Sequence, residues 1–179
     1  ERFKKIVGEL SEMLDVLESF EKVLDVLLEE DEWQSLFIDY EKPFVERLWR
    51  QCGEFRVNLH RIHPCEQGEA LYHPHPWPSA MHVLSGVYET AVGCGIWNER
   101  PEFVIKGVIS GDFKYEMTRQ NGWHYVRPVD RPAMALMVTG MPWNRPSPKS
   151  SRPLKALTAE QKEEILDFFR SYYRKNTGV

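Results

Sequence analysis

Between residues 54 and 143 the chain breaks into many short apolar segments, with a turn-forming residue in nearly every gap. Ser85-Gly86, Ser110-Gly111-Asp112, Asn121-Gly122, Pro128 and Pro132 supply this punctuation. Glycine reaches positive φ, Asn and Asp bond their own backbone, and proline presets φ, so each favours a reversal for its own reason. Phe55, Val57, Leu59 and Arg61 alternate with Arg56, Asn58, His60 and Ile62, the period of two expected of a strand. Further strands are predicted over 81–84, 87–97, 103–109, 113–117, 123–126 and 133–139. No helical pattern separates them, which excludes a parallel α/β fold and leaves an antiparallel sandwich or barrel.

On either side the period becomes that of a helix. Phe3, Ile6, Val7, Leu10, Met13, Leu14 and Leu17 recur at steps of three and four, an amphipathic stripe. Val23, Leu24, Leu27 and Leu28 continue it, and the acidic run from Glu29 to Glu32 reads as a turn or a new helix start. A third helix is predicted from Pro43, carrying Phe44, Val45, Leu48 and Trp49 and ending at Cys52-Gly53. Residues 142–153 hold four prolines and form an irregular connector or a lid. Thr158 and Gln161 form a capping box before Ile165, Leu166, Phe168, Phe169 and Tyr172, marking a C-terminal helix. The expected organisation is one compact domain: a helical N-terminal extension over 1–53 packed on the barrel, the barrel over 54–143, and a connector with its helix over 144–179.

Composition narrows the function classes. With 42% hydrophobic and 12% aromatic residues the chain can bury a core and is not disordered. A net charge of −4 gives no electrostatic footprint for nucleic acid. The apolar runs are too short to span a bilayer, and no signal-peptide block is present. Three cysteines, an odd and low count, fit a reducing compartment, so the expectation is a cytoplasmic protein without nucleic-acid or membrane partners. Charge is uneven: residues 1–50 hold 14 acidic and 7 basic side chains, leaving +3 for the other 129 residues. The acidic helices are expected either to cover one face of the barrel or to form a homodimer interface.

All six histidines lie between residues 60 and 124. His73-Pro-His75 places two imidazoles on the same side of an extended chain, where both can reach one metal ion. Pro74, Pro76 and Pro78 stiffen the segment, and His124, in a strand after a turn, is the natural third ligand. Three imidazoles on one side of an ion leave positions open for water, substrate or dioxygen. His82 has the opposite strand parity to His75, but the intervening prolines break the strand, so it stays open as a replacement or supplementary ligand. His60 and His63 cannot both face the barrel, and neither can Arg56 and Arg61; Arg61 is a candidate for an acidic substrate group.

The spacing of His73, His75, Ser79 and Gly86 resembles the first motif of the cupins, and Gly111-Asp112 leading to His124 resembles the second. The resemblance covers roughly 54–143 and implies a double-stranded β-helix barrel with its metal inside. Ser79 stands where most cupins carry a glutamate. In this, and in Gly111-Asp112-Phe113-Lys114-Tyr115 followed by Gly122-Trp123-His124, the chain looks like the thiol dioxygenase branch, whose three histidines bind iron. The positions of that branch's assisting histidine and tyrosine correspond to Met137 and Thr139.

The resemblance implies one divalent metal, iron(II) first and zinc, manganese or nickel as alternatives, and a dioxygenase acting on a small organic substrate. Ser79, Arg61, Trp77, Met137 and Thr139 are the expected substrate-pocket residues. Trp97, Trp123, Tyr72 and Tyr115 either line that pocket or pack the sheet. Other readings stay open: a cupin isomerase or hydrolase with another metal, a non-enzymatic module binding a small acid or sugar, or an assembly component. Cys65 and Cys94 lack the neighbours of a catalytic nucleophile.

Overall fold

The computed structural model describes residues 13–95, 99–103, 105–145 and 147–176. Two helices, α1 (Met13–Glu21) and α2 (Leu24–Glu29), precede ten strands, and a last helix, α3 (Ala159–Asn176), closes the chain. The strands are β1 (Gln34–Ile38), β2 (Val45–Cys52), β3 (Phe55–Ile62), β4 (His73–Pro74), β5 (Ser79–Ser85), β6 (Val87–Cys94), β7 (Ile105–Ser110), β8 (Phe113–Met117), β9 (Gly122–Pro128) and β10 (Ala133–Thr139). The opening residues of the first predicted helix, with Phe3, Ile6, Val7 and Leu10, lie outside the described residues, as does Trp97.

Six strands form one sheet in the order β1-β2-β3-β10-β5-β8, and four form a second in the order β4-β9-β6-β7. All pairings are antiparallel. From β3 to β10 the strands build two facing four-stranded halves, β3-β10-β5-β8 and β4-β9-β6-β7. That order is a jelly roll, the double-stranded β-helix of cupin-like folds. The mainly β expectation therefore holds.

The sequence explains the layers. β10 is buried at all seven positions, because Met134, Leu136 and Val138 meet the helices while Ala133, Ala135 and Met137 face the barrel interior. Leu17, Leu24 and Leu28 of the N-terminal helices and Ile165 and Phe169 of α3 are packed with Leu48, Val57 and Leu59 of the sheet. Full burial of such a side chain is worth about 1.5–3 kcal/mol, and this layer is the main core. Among the described residues, the apolar stripe of α1 and α2 is thus packed largely against its own sheet and α3, with Val23 and Val26 exposed. The capping box at the start of α3 is closed in both directions, Gln161 N to Thr158 Oγ1 at 3.1 Å and Thr158 N to Gln161 Oε1 at 2.9 Å.

One expectation is overturned. The segment predicted as a third helix is β2, paired over eight residues with β3 through a tight turn in which Gly53 has φ +63°. The boundary placed between residues 53 and 54 therefore falls inside a hairpin of one continuous sheet. The acidic run follows the end of α2 instead of starting a helix, and Arg50 bridges Glu30 at 2.8 Å and Glu32 at 2.9 Å. No helix among the described residues is long and apolar enough to cross a membrane.

Candidate metal centre and ligand cavity

β4 pairs with β9 so that His73 stands directly opposite His124. His75 extends the ladder, its amide donating to the Gly122 carbonyl at 2.9 Å. The rings meet edge to face, with centroids 4.7 Å apart for His73–His124 and 4.6 Å for His75–His124. The backbone orients two of them: Nδ1 of His73 donates to the Leu71 carbonyl at 3.0 Å, and Nδ1 of His75 to the Trp77 carbonyl at 2.7 Å. A carbonyl can only accept, so the proton sits on Nδ1 and each Nε2 keeps its lone pair.

The site favours neutral rings. Burial, reinforced by His73, pushes His75 down to about 4. Burial lowers His73 too, and it holds His124 well below the usual histidine range, with His75 and His73 adding to the effect. Neutral imidazole is the ligating form.

Two imidazoles on one ion at about 2.1 Å, with bonds near right angles, hold their centroids roughly 4.5 Å apart. The observed separations match that spacing, and His124 Nδ1 is buried without a hydrogen-bond partner. The donor set fits a divalent metal of imidazole preference. The fit is not closed, since among the described residues no three His, Cys, Asp or Glu side chains are arranged to enclose an ion. Ser79 lies with Oγ 3.4 Å from His75 Nε2.

His73, His75 and His124 line a cavity of about 410 Å³ between the two sheets. Of the residues predicted for a substrate pocket, Trp77 and Met137 line it, whereas Ser79 and Thr139, paired with each other across β5 and β10, do not. Two candidates lie elsewhere. His82 faces the helical layer, held by Glu21 at 2.8 Å and Asp112 at 3.0 Å, so it is no ligand here. Its strand starts with Ser79 facing inward, and an odd step of three turns His82 outward. Arg61 lies on that outer face, paired with Glu46 and with Glu164 at 2.8 Å. Arg56 is spent on the Trp49 ring, 4.1 Å from its centroid.

The half-buried cation of the cavity is Arg47, which the helical reading of β2 concealed. Its Nε donates to His60 Nε2 at 2.8 Å, and both residues line the cavity. Among the described residues no carboxylate lies within ion-pair distance of Arg47. Burial, then repulsion from Arg56, lowers it to about 10, which leaves it protonated at neutral pH. His60 is held neutral by burial and by the adjacent guanidinium. Because its Nε2 accepts from Arg47, its proton occupies Nδ1, which is buried and unpartnered. The alternation of Val45, Arg47 and Trp49 ahead of Gly53 is the signal that could have revealed this wall.

The remaining aromatic candidates pack. Tyr72, Trp123 and Tyr125 form their own cluster, and Tyr115 joins Tyr88 and Met81 inside the barrel. All three cysteines are unpaired, and burial raises the thiols of Cys52 and Cys65. The proline-rich connector crosses the cavity: Ser147, Pro148, Lys149 and Ser150 line it. Its anchors are Trp143 N to the Pro76 carbonyl at 2.9 Å and Arg145 Nη1 to the His75 carbonyl at 3.2 Å.

No protein-family model and no curated protein matches this chain. Among solved structures it is similar to hydroxypropylphosphonic acid epoxidase from S. wedmorenis, at 16% identity and a TM-score of 0.47 over 61% of this chain and 56% of that one. It is also similar to AerE from Microcystis aeruginosa, at 16% identity and a TM-score of 0.47 over 71% and 53% of the two chains. A protein from Bacillus halodurans matches at 15% identity and a TM-score of 0.39 over 74% and 83%. The chain spans little more than half the length of the epoxidase. Likenesses this distant assign no activity, and the jelly-roll fold rests on the strand order alone.

Proposed function

We propose that the protein is a metal-dependent jelly-roll enzyme, a dioxygenase by preference, acting on a small organic acid. His73, His75 and His124 would hold one divalent ion, iron(II) before zinc, manganese or nickel, and Arg47 would take the anionic group. The observation that carries this reading is a cavity lined by three imidazoles, two of them with ring centroids within 4.7 Å of the third, and by a guanidinium that no carboxylate of the described residues neutralises. When bound, the metal would supply Lewis acidity and, as iron(II), access to dioxygen chemistry.

The chain's own residues do the rest. The Leu71 and Trp77 carbonyls hold protons on Nδ1 of His73 and His75 and aim both Nε2 lone pairs away from the backbone. The guanidinium offers a planar fork that matches a carboxylate, and its buried setting strengthens that attraction over its value in water. Leu36, Ile38, Val45 and Val126 wall the cavity and limit water beside the bound acid. Lys149 at the cavity adds positive potential that draws in anions, while Lys42 is paired with Glu69 at 3.0 Å.

The test is iron content after anaerobic loading of the wild type, His73→Ala and His124→Ala. The expected result is near-stoichiometric iron in the wild type and at least a tenfold loss in both variants. Iron that both variants retain would overturn the site. A second reading is favoured by the incomplete closure of the three imidazoles: a non-enzymatic module that binds a small acid and needs only the cavity and Arg47. Wild-type protein that refuses iron yet binds acids would support it.

A further inference from the structure

The surroundings of Arg47 say more about the acid. On its face of the sheet Arg47 is flanked by Leu36 of β1 and His60 of β3, with Val45 and Ile62 nearby. Among the described residues the one carboxylate lining the cavity is Glu41, exposed in the β1–β2 loop beside Lys42. Asn58 shares the face of His60 and has a buried, unpartnered Oδ1, but it does not line the cavity. His60 offers a donor, not an acceptor. An α-ammonium lies only a few bonds from its own carboxylate, so it would be buried beside a guanidinium with no buried carboxylate to pair with it. The lining offers it only neutral acceptors, the hydroxyls of Tyr40, Ser147 and Ser150 and the Nε2 lone pairs of His73 and His75. Burying a charge in that way is heavily penalised.

The volume points the same way. At about 30 Å³ for each water of the liquid, 410 Å³ gives room for roughly a dozen ligand atoms. Beyond the guanidinium the walls are mainly Ile38, Leu71, Val126 and Leu154 with the thioethers of Met81 and Met137. Apolar length in a ligand therefore meets apolar wall.

We propose that the cavity selects apolar monocarboxylates and rejects the amino acids of the same skeleton, with Arg47 as the specificity-determining residue. The inference rests on the placement of Arg47 in the reading above and not on the occupancy of the imidazole site.

Calorimetric titration of the full chain, with and without iron loading, tests it. The ligands are acetate, butanoate, hexanoate, L-norleucine and 1-hexanol. Affinity is expected to rise about threefold to fourfold per CH₂ from butanoate to hexanoate. L-Norleucine should bind at least tenfold more weakly than hexanoate. In Arg47→Met, hexanoate should lose its advantage over hexanol while hexanol binding stays within threefold. Arg47→Lys, which keeps the charge, should retain part of the advantage and covers the case in which the methionine variant does not fold. Affinity that is flat across the carboxylates, absence of hexanoate binding, or L-norleucine binding as tightly as hexanoate would each overturn the proposal. Because the series is read with and without iron, acid selectivity without iron uptake would sink the metal reading alone, whereas iron uptake without acid selectivity would sink this one alone.

Discussion

His75 and His60 show how a residue can be kept ready for one chemistry by being denied another. Both are buried, and burial disfavours the imidazolium. In an unfolded chain a histidine takes up its proton near pH 6.5, while in the fold His75 resists until about pH 4. Between those values the unfolded state binds more protons, so stability falls as pH falls through that window. For His75 alone the loss is on the order of 3 kcal/mol. Urea denaturation of metal-free protein from pH 7 to pH 4 should show a falling midpoint, less steep in His60→Phe. A midpoint that does not move with pH would mean the rings are not buried as described.

The metal candidates were legible because two of them are local: an i, i+2 pair on an extended chain shares a face whatever the rest of the fold does. Arg47 was not, because its orientation depends on which period β2 adopts. Phe44, Val45, Leu48 and Trp49 satisfy a helix as well as they satisfy a strand. The choice is made by eight paired residues of β3, a contact between segments that no local pattern reports. His82 is the converse case, where the parity rule was sound once counted from Ser79 rather than across Pro76 and Pro78.

At the scale of elements, two glycines separate the cost of a backbone angle from the cost of a clash. Gly53 turns β2 into β3 at φ +63° with open space around its missing side chain. Gly86, between β5 and β6, has φ +92°, and an added Cβ would meet Ala133 Cα at 2.9 Å. Gly53→Ala is expected to cost about 1 kcal/mol, through backbone strain alone. Gly86→Ala should cost clearly more, since overpacking adds roughly 1–3 kcal/mol. Equal losses in urea melts would show that the Ala133 contact is readily relaxed. For α3, Thr158→Ala should cost about 1 kcal/mol by removing the oxygen that caps Gln161 N.

Across the whole molecule, a polar network ties the helical layer to the barrel. His82 joins Glu21 of α1 to Asp112 in the β7–β8 turn, and Tyr173 of α3 donates to Glu21 at 2.8 Å. Hydrogen bonds from His82 and Tyr173, with the charges of His82 and Lys114, outweigh burial and hold the Glu21 carboxyl below its usual range. Replacing His82 by Leu would leave that carboxylate buried beside an apolar group. The expected loss is about 3 kcal/mol, with iron uptake per folded chain unchanged. Iron loss in His82→Leu at full stability would return this residue to the ligand set.

The alternation along the central strands has a practical consequence for anyone wishing to remodel the protein. Leu36 and Ile38, Val45 and Arg47, His60 and Ile62, Met81, and Met137 look into the cavity, while Leu48, Val57, Leu59, Leu84, Leu136 and Val138 belong to the helical core. Each strand thus carries two independent alphabets, one for recognition and one for folding. A combinatorial library restricted to the first alphabet can rewrite the cavity while leaving every residue of the helical core in place.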